Sequence, residues 1–74
     1  MKIYLIVIMD RHYDSEIYPR YDKLDAIEEA EMIAFRRSRQ HNYSLEEIEG
    51  VDTYYCGQYS CEGDCVYVVD AELK

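Results

Sequence analysis

From Lys2 to Met9 the chain reads KIYLIVIM, and the apolar run that follows the lysine stops at Asp10. β-branched and aromatic types dominate this stretch, which predicts a strand over 2–9. Ile3, Leu5, Val7 and Met9 fall on one face, and Tyr4, Ile6 and Ile8 on the other. Both faces are apolar, the pattern of a central strand covered on each side. Residues 10–15 are polar and form a turn. Residues 16–21, EIYPRY, predict a second strand. Pro19 has no N–H to donate, so that strand belongs at a sheet edge.

Asp22 is a good helix N-cap. From Lys23 to about Gln40 apolar positions recur with helical spacing. Leu24, Ile27, Ala30 and Ala34 share a face, flanked by Ala26, Ile33 and Phe35. Asp25, Glu28, Glu29 and Glu31 come early and Arg36, Arg37 and Arg39 late, an order that complements the helix dipole. Asn42 ends the helix, and SLEEIEG leads through a short helical turn to Gly50. Residues 52–59 and 64–70 predict two further strands. The SCEG between them makes a tight hairpin loop with Gly63 at positive φ. The order β-β-α-β-β predicts an α+β fold: an antiparallel sheet of three to four strands with one helix on one face, in a single compact domain spanning 1–74.

One helix covers one side of such a sheet. Yet the first strand is apolar on both sides, and the last hairpin sets Tyr54, Cys56, Tyr67 and Val69 against Tyr55, Val66 and Val68. A second layer is missing from the single chain. A homodimer through the open sheet face, or a partner protein, would supply it. Length agrees: a 74-residue chain buries only roughly 60% of its unfolded surface and gains from a partner. Nine tyrosines against one Phe and no Trp suit half-wet contact surfaces. Tyr4, Tyr54, Tyr55 and Tyr67 are the candidate interface residues.

Charge narrows the partners. The net charge is −8, from 16 acids and 8 bases. Residues 1–41 carry 8 acids and 7 bases, and residues 42–74 carry 8 acids and only Lys74. Direct binding of nucleic acid needs cations, so this balance argues against it and for a partner with a basic surface. The single basic cluster, RRSR at 36–39, is assigned to the helix C-terminus rather than to phosphate. Seven apolar residues cut off by Asp10 and Arg11 neither span a bilayer nor complete an export signal. The expectation is a cytoplasmic chain with no membrane partner. Three cysteines, Cys56, Cys61 and Cys65, are an odd number that fits free thiols.

Candidate chemistry centres on DRHYD. In an extended segment Asp10, His12 and Asp14 point the same way, and two carboxylates with an imidazole suit a divalent ion or an acid/base pair. The alternative is a strand-end turn in which Asp10 accepts backbone N–H groups and Arg11 meets Glu62 or Asp64. These six residues are the candidate binding set. No catalytic residue, resident metal or cofactor is assigned. The spacing C-x4-C-x3-C lacks the short knuckle of zinc sites, and no phosphate loop, nucleophile elbow or dinucleotide fingerprint is present.

The run from the first strand into Asp10-Arg11-His12 and Asp14, then EIEG, YY and YSCEGDCVYVV, resembles a group of small hypothetical proteins of bacteria and their phages, with a strand-DRHxD…EGDxVxVV pattern from about residue 3 to 70. That group has no assigned activity, so the resemblance implies a compact domain and no catalytic residues. It implies a phage or mobile-element setting, in which binding and inhibition of a host protein is a common role. The functional expectation is a small acidic protein-interaction module of this kind, with nucleic-acid mimicry by segments 46–52 and 62–64. The alternatives are a small-molecule or metal binder, or a small hydrolase or nuclease, at Asp10-Arg11-His12-Asp14.

Overall fold

A computed structural model describes residues 1–11, 14–49 and 52–72. Its elements are β1 (Lys2–Met9), β2 (Glu16–Arg20), α1 (Lys23–Gln40), β3 (Glu46–Glu47), β4 (Tyr55–Gln58) and β5 (Cys65–Glu72). The fold is α+β: one helix lies on an antiparallel sheet of order β2-β1-β5-β4-β3. Among the described residues the sheet has five strands rather than three or four. The addition is β3, where a short helical turn was expected. Glu46 pairs with Gln58 and Glu47 with Gly57, and the Ile48 N–H donates to the Cys56 carbonyl at 2.8 Å. The free edge of β4 outcompetes local helical geometry by supplying these backbone partners. At the other edge lies β2, where Pro19 meets no ladder it would interrupt.

The β1 strand is central, hydrogen-bonded to β2 and along its whole length to β5, from Lys2↔Glu72 to Met9↔Cys65. Register sets the faces. Ile6 stands beside Val68 and Ile8 beside Val66. All four are buried under α1 with Ala26, Ala30 and Ala34. Asp22 caps the helix, its carboxylate accepting the Leu24 N–H at 3.2 Å. At the far end Asn42 takes φ 52°. The Tyr43 N–H returns to the Ser38 carbonyl at 2.8 Å and the Asn42 N–H to Arg39 at 3.1 Å, a Schellman closure with asparagine in the glycine position.

The buried ridge of α1 is Ala26, Ala30, Ala34 and Ser38, not the face through Leu24. Leu24 is 67% exposed and Phe35 54%. Small side chains every fourth residue let the helix axis approach the sheet, and that close approach sets its rotation. Ile27 and Ile33 flank the ridge. Gly63 has φ +90° in the turn between β4 and β5, where its N–H reaches the Ser60 carbonyl at 3.3 Å. Among the described residues no helix is long and apolar enough to cross a membrane.

Candidate functional site

Two features carry chemistry: a polar cluster at one end of the sheet, and the sheet face that α1 leaves bare. Antiparallel register brings the end of β1, the start of β2, the β4–β5 turn and the last turns of α1 together. Asp10 leaves β1 there with its side chain only 4% exposed. The Tyr59 hydroxyl donates to Asp10 Oδ2 at 2.6 Å. Arg37 Nη1 donates to the Tyr59 oxygen at 3.3 Å and lies 3.6 Å from Asp10 Oδ2. Its Nη2 reaches Glu16 Oε2 at 3.2 Å. Burial, and then the bond to Asp10, push the Tyr59 phenol well above the ordinary tyrosine range. The group is therefore a proton donor at neutral pH rather than a base or nucleophile.

Beside it Asp64, 1% exposed, accepts the Arg11 backbone N–H at 2.8 Å and the Ser60 hydroxyl at 2.7 Å. The Ser60 oxygen in turn accepts the Glu62 N–H at 3.3 Å. Asp64 thus ties the exit of β1 to the hairpin through a backbone N–H. Arg11 and Asp64 meet here through the backbone N–H, and the Tyr59 phenol and the Arg37 guanidinium hold Asp10. Glu62 and Asp14 are exposed. His12 lies outside the described residues. Among the described residues no three His, Cys, Asp or Glu side chains converge as a metal site would require.

A groove of about 420 Å3 between α1 and β2 is lined by Tyr18, Arg20, Glu29, Arg36, Arg37 and Gln40, among others. Arg20 forms a two-pronged pair with Glu29 at 2.6 and 2.7 Å, which holds the Glu29 carboxyl below its usual range. Arg37 is engaged as above. An anion in this groove would have to displace carboxylates already in place.

The bare face is of a different kind. It presents Ile3, Leu5, Val7 and Met9 from β1, and Cys65, Tyr67, Val69 and Ala71 opposite them from β5. Cys56 and Gln58 of β4 join from one side, Ile17 and Pro19 of β2 from the other. Ile17 is 58% and Met9 45% exposed, while Val7, between Ile17 and Tyr67, is buried. No charged side chain projects from this face on β2, β1, β5 or β4; Glu46, at the edge on β3, lies opposite Gln58. At 3.3 Å per residue and 4.8 Å per strand it covers on the order of 400 Å2.

The expected interface tyrosines divide between the two sides. Tyr67 stands on the bare face. Tyr4 and Tyr55 pack against the core beneath α1. Tyr54 precedes β4 and turns to the helix side, its ring 5.6 Å from Tyr4 in an edge-on contact and its hydroxyl 2.7 Å from Asp70. The three thiols are free: Cys56 and Cys65 half-buried on the bare face, Cys61 exposed in the turn. The sequence does not mark Arg37 or Tyr59 as site residues. Each meets Asp10 across a long stretch of chain, and no local spacing marks that meeting. Comparison with models of protein families, with curated proteins and with solved structures returns no match.

Proposed function

We propose that the chain is a small acidic protein-interaction module, that it closes on a second copy of itself through the bare sheet face, and that the resulting dimer presents its acidic hairpins and edges to a partner with a basic surface. One observation carries this reading: an apolar, uncharged face that the chain's own helix leaves uncovered. An apolar patch of this size is often a contact site, and two such faces together bury on the order of 800 Å2, below the standard size of a specific interface and in the range of weak ones. A second copy suits it because two chains of net charge −8 can meet there without burying an ionised group. Sheets pack face to face at about 10 Å, and such packing gives β1 the second apolar layer that its composition requires. Glu46, Glu47, Glu49, Asp52 and Glu62 are all exposed, away from the centre of that face. The phage resemblance supports a host protein as the basic partner, inhibited by occupation of its basic site.

Light scattering after size exclusion tests the dimer. The parent chain should have at least twice the monomer mass at micromolar concentration. Leu5→Lys, which places an ammonium at the centre of the face, should abolish this contact while keeping the far-ultraviolet circular dichroism. A parent that elutes as a monomer overturns the reading. Binding to a basic partner should weaken steeply with salt, and salt-independent binding removes the electrostatic part.

A further inference from the structure

The outward side of α1 is patterned in a way the core does not explain. Glu28, Glu31, Met32, Phe35, Arg36 and Arg39 follow one another at helical spacing and form a single stripe. The stripe faces away from the Ala26–Ala30–Ala34 ridge. Met32 is 60% and Phe35 54% exposed. These two side chains stand between shallow grooves. One, of about 500 Å3, is floored with Leu45 and rimmed by Glu28, Glu31 and Glu47. The other, of about 360 Å3, is flanked by Arg36 and Arg39. The stripe is therefore acidic in its first part, apolar in the middle and basic in its last part. None of its four charged side chains forms an ion pair among the described residues. Arg39 instead lies over the Phe35 ring, 5.8 Å from its centroid.

We infer that this stripe docks on the same stripe of a second chain, the two helices running antiparallel about a two-fold axis between Met32 and Phe35. In an antiparallel pair, positions equidistant from the axis face one another. Met32 then opposes Phe35, Glu31 opposes Arg36 and Glu28 opposes Arg39, each twice by symmetry. Helices packed 8–10 Å apart bring such side chains within reach. A parallel pair would set acid on acid and base on base, so the pattern selects one orientation as well as one occupant. This surface lies on the opposite side of the chain from the bare sheet face, and the inference does not depend on the sheet contact. Where both contacts form, they link sheet dimers into tetramers or longer assemblies.

Full-length variants and sedimentation velocity test this. Leu5→Lys, which removes only the sheet contact, should leave a helix-linked dimer. Phe35→Ser should leave a sheet-linked dimer, and the two changes together a monomer. In the Leu5→Lys chain, E28R/E31R makes the stripe wholly basic and R36E/R39E wholly acidic. Each alone should weaken self-association by at least about tenfold, since like charges then face one another. An equal mixture of the two should dimerise again, as should the chain carrying all four reversals. Circular dichroism melts establish that every variant is folded. A Leu5→Lys chain that is monomeric throughout overturns the inference, as does a mixture that fails to restore the dimer. So does charge reversal without effect, the outcome expected if the stripe receives a foreign helix or nothing.

Discussion

Deleting the same oxygen from two neighbouring tyrosines should move stability in opposite directions. Tyr59 is fully buried. Its hydroxyl donates to Asp10 at 2.6 Å and accepts from Arg37 at 3.3 Å. Tyr59→Phe removes a hydrogen bond to a charged group whose side chain is itself only 4% exposed. Bonds of that class are worth about 1.5–3 kcal/mol. The Tyr55 hydroxyl is also buried, but it has no hydrogen-bond partner among the described residues. It sits close over Gly57, whose missing Cβ makes room for it. An orphaned buried polar group costs about 1–3 kcal/mol. Because the Tyr55 ring is only half-buried, Tyr55→Phe should recover the lower end, about 1 kcal/mol. The two variants should therefore differ by at least about 2.5 kcal/mol, or roughly 10 °C in melting temperature for a domain of this size. Urea unfolding at one fixed protein concentration measures the difference, since self-association makes the midpoint depend on concentration. A Tyr59→Phe change should cost less once Asp10→Asn has weakened its partner. The reasoning fails if both variants shift the midpoint the same way, or if Tyr59→Phe stays within about 0.5 kcal/mol of the parent.

Asp64→Ala leaves the Arg11 N–H and the Ser60 hydroxyl without their acceptor and should destabilise by about 2–3 kcal/mol. Hydrogen exchange should then quicken at the β4–β5 turn more than in α1. Gly63→Ala meets no atom within 4 Å but must hold φ +90°. Its cost of about 1 kcal/mol should therefore be smaller for Gly63→Asn, as read by the same unfolding curves. At alkaline pH, burial and the charges of Glu47 and Glu31 push the Tyr55 phenol to about 12, and burial with the Asp10 bond pushes Tyr59 higher still. Unfolded tyrosine ionises near pH ~10, so above that pH the unfolded chain binds fewer protons than the folded one. The contribution of these two groups is full below that pH and declines as pH rises past it. Phenolate absorbance should show Tyr55 and Tyr59 titrating last among the described tyrosines, and an unfolding midpoint that stays flat from about pH 9 to 11 would contradict this. Cys61 is exposed in its turn, whereas burial and the neighbouring Cys56 raise the Cys65 thiol. Iodoacetamide should modify Cys61 well before Cys65, as mass spectrometry of timed digests would show.

What the sequence by itself determined is what local rules govern. Alternation and an unbroken apolar run fix β1 at Lys2–Met9. An N-cap and helical spacing fix α1 at Lys23–Gln40. A proline assigns β2 to an edge, and Gly63 marks a turn that needs positive φ. Each of these follows from the backbone geometry of a few adjacent residues. The tertiary structure decided whatever depends on meetings between distant segments. It recruited Glu46 and Glu47 into a strand because β4 had a free edge to pair. It turned Leu24 and Phe35 outward because the alanine ridge allows a closer approach to the sheet than larger side chains do. It gave Asp10 and Arg11, at the end of β1, the partners Tyr59, Arg37 and Asp64 through strand register and the seat of α1 on the sheet. The side on which α1 packs decided which of two equally apolar faces of β1 is covered. The pattern of β1 is symmetric in this respect, and only the single helix, connecting β2 to β3 across one side of the sheet, breaks that symmetry and leaves the other face bare.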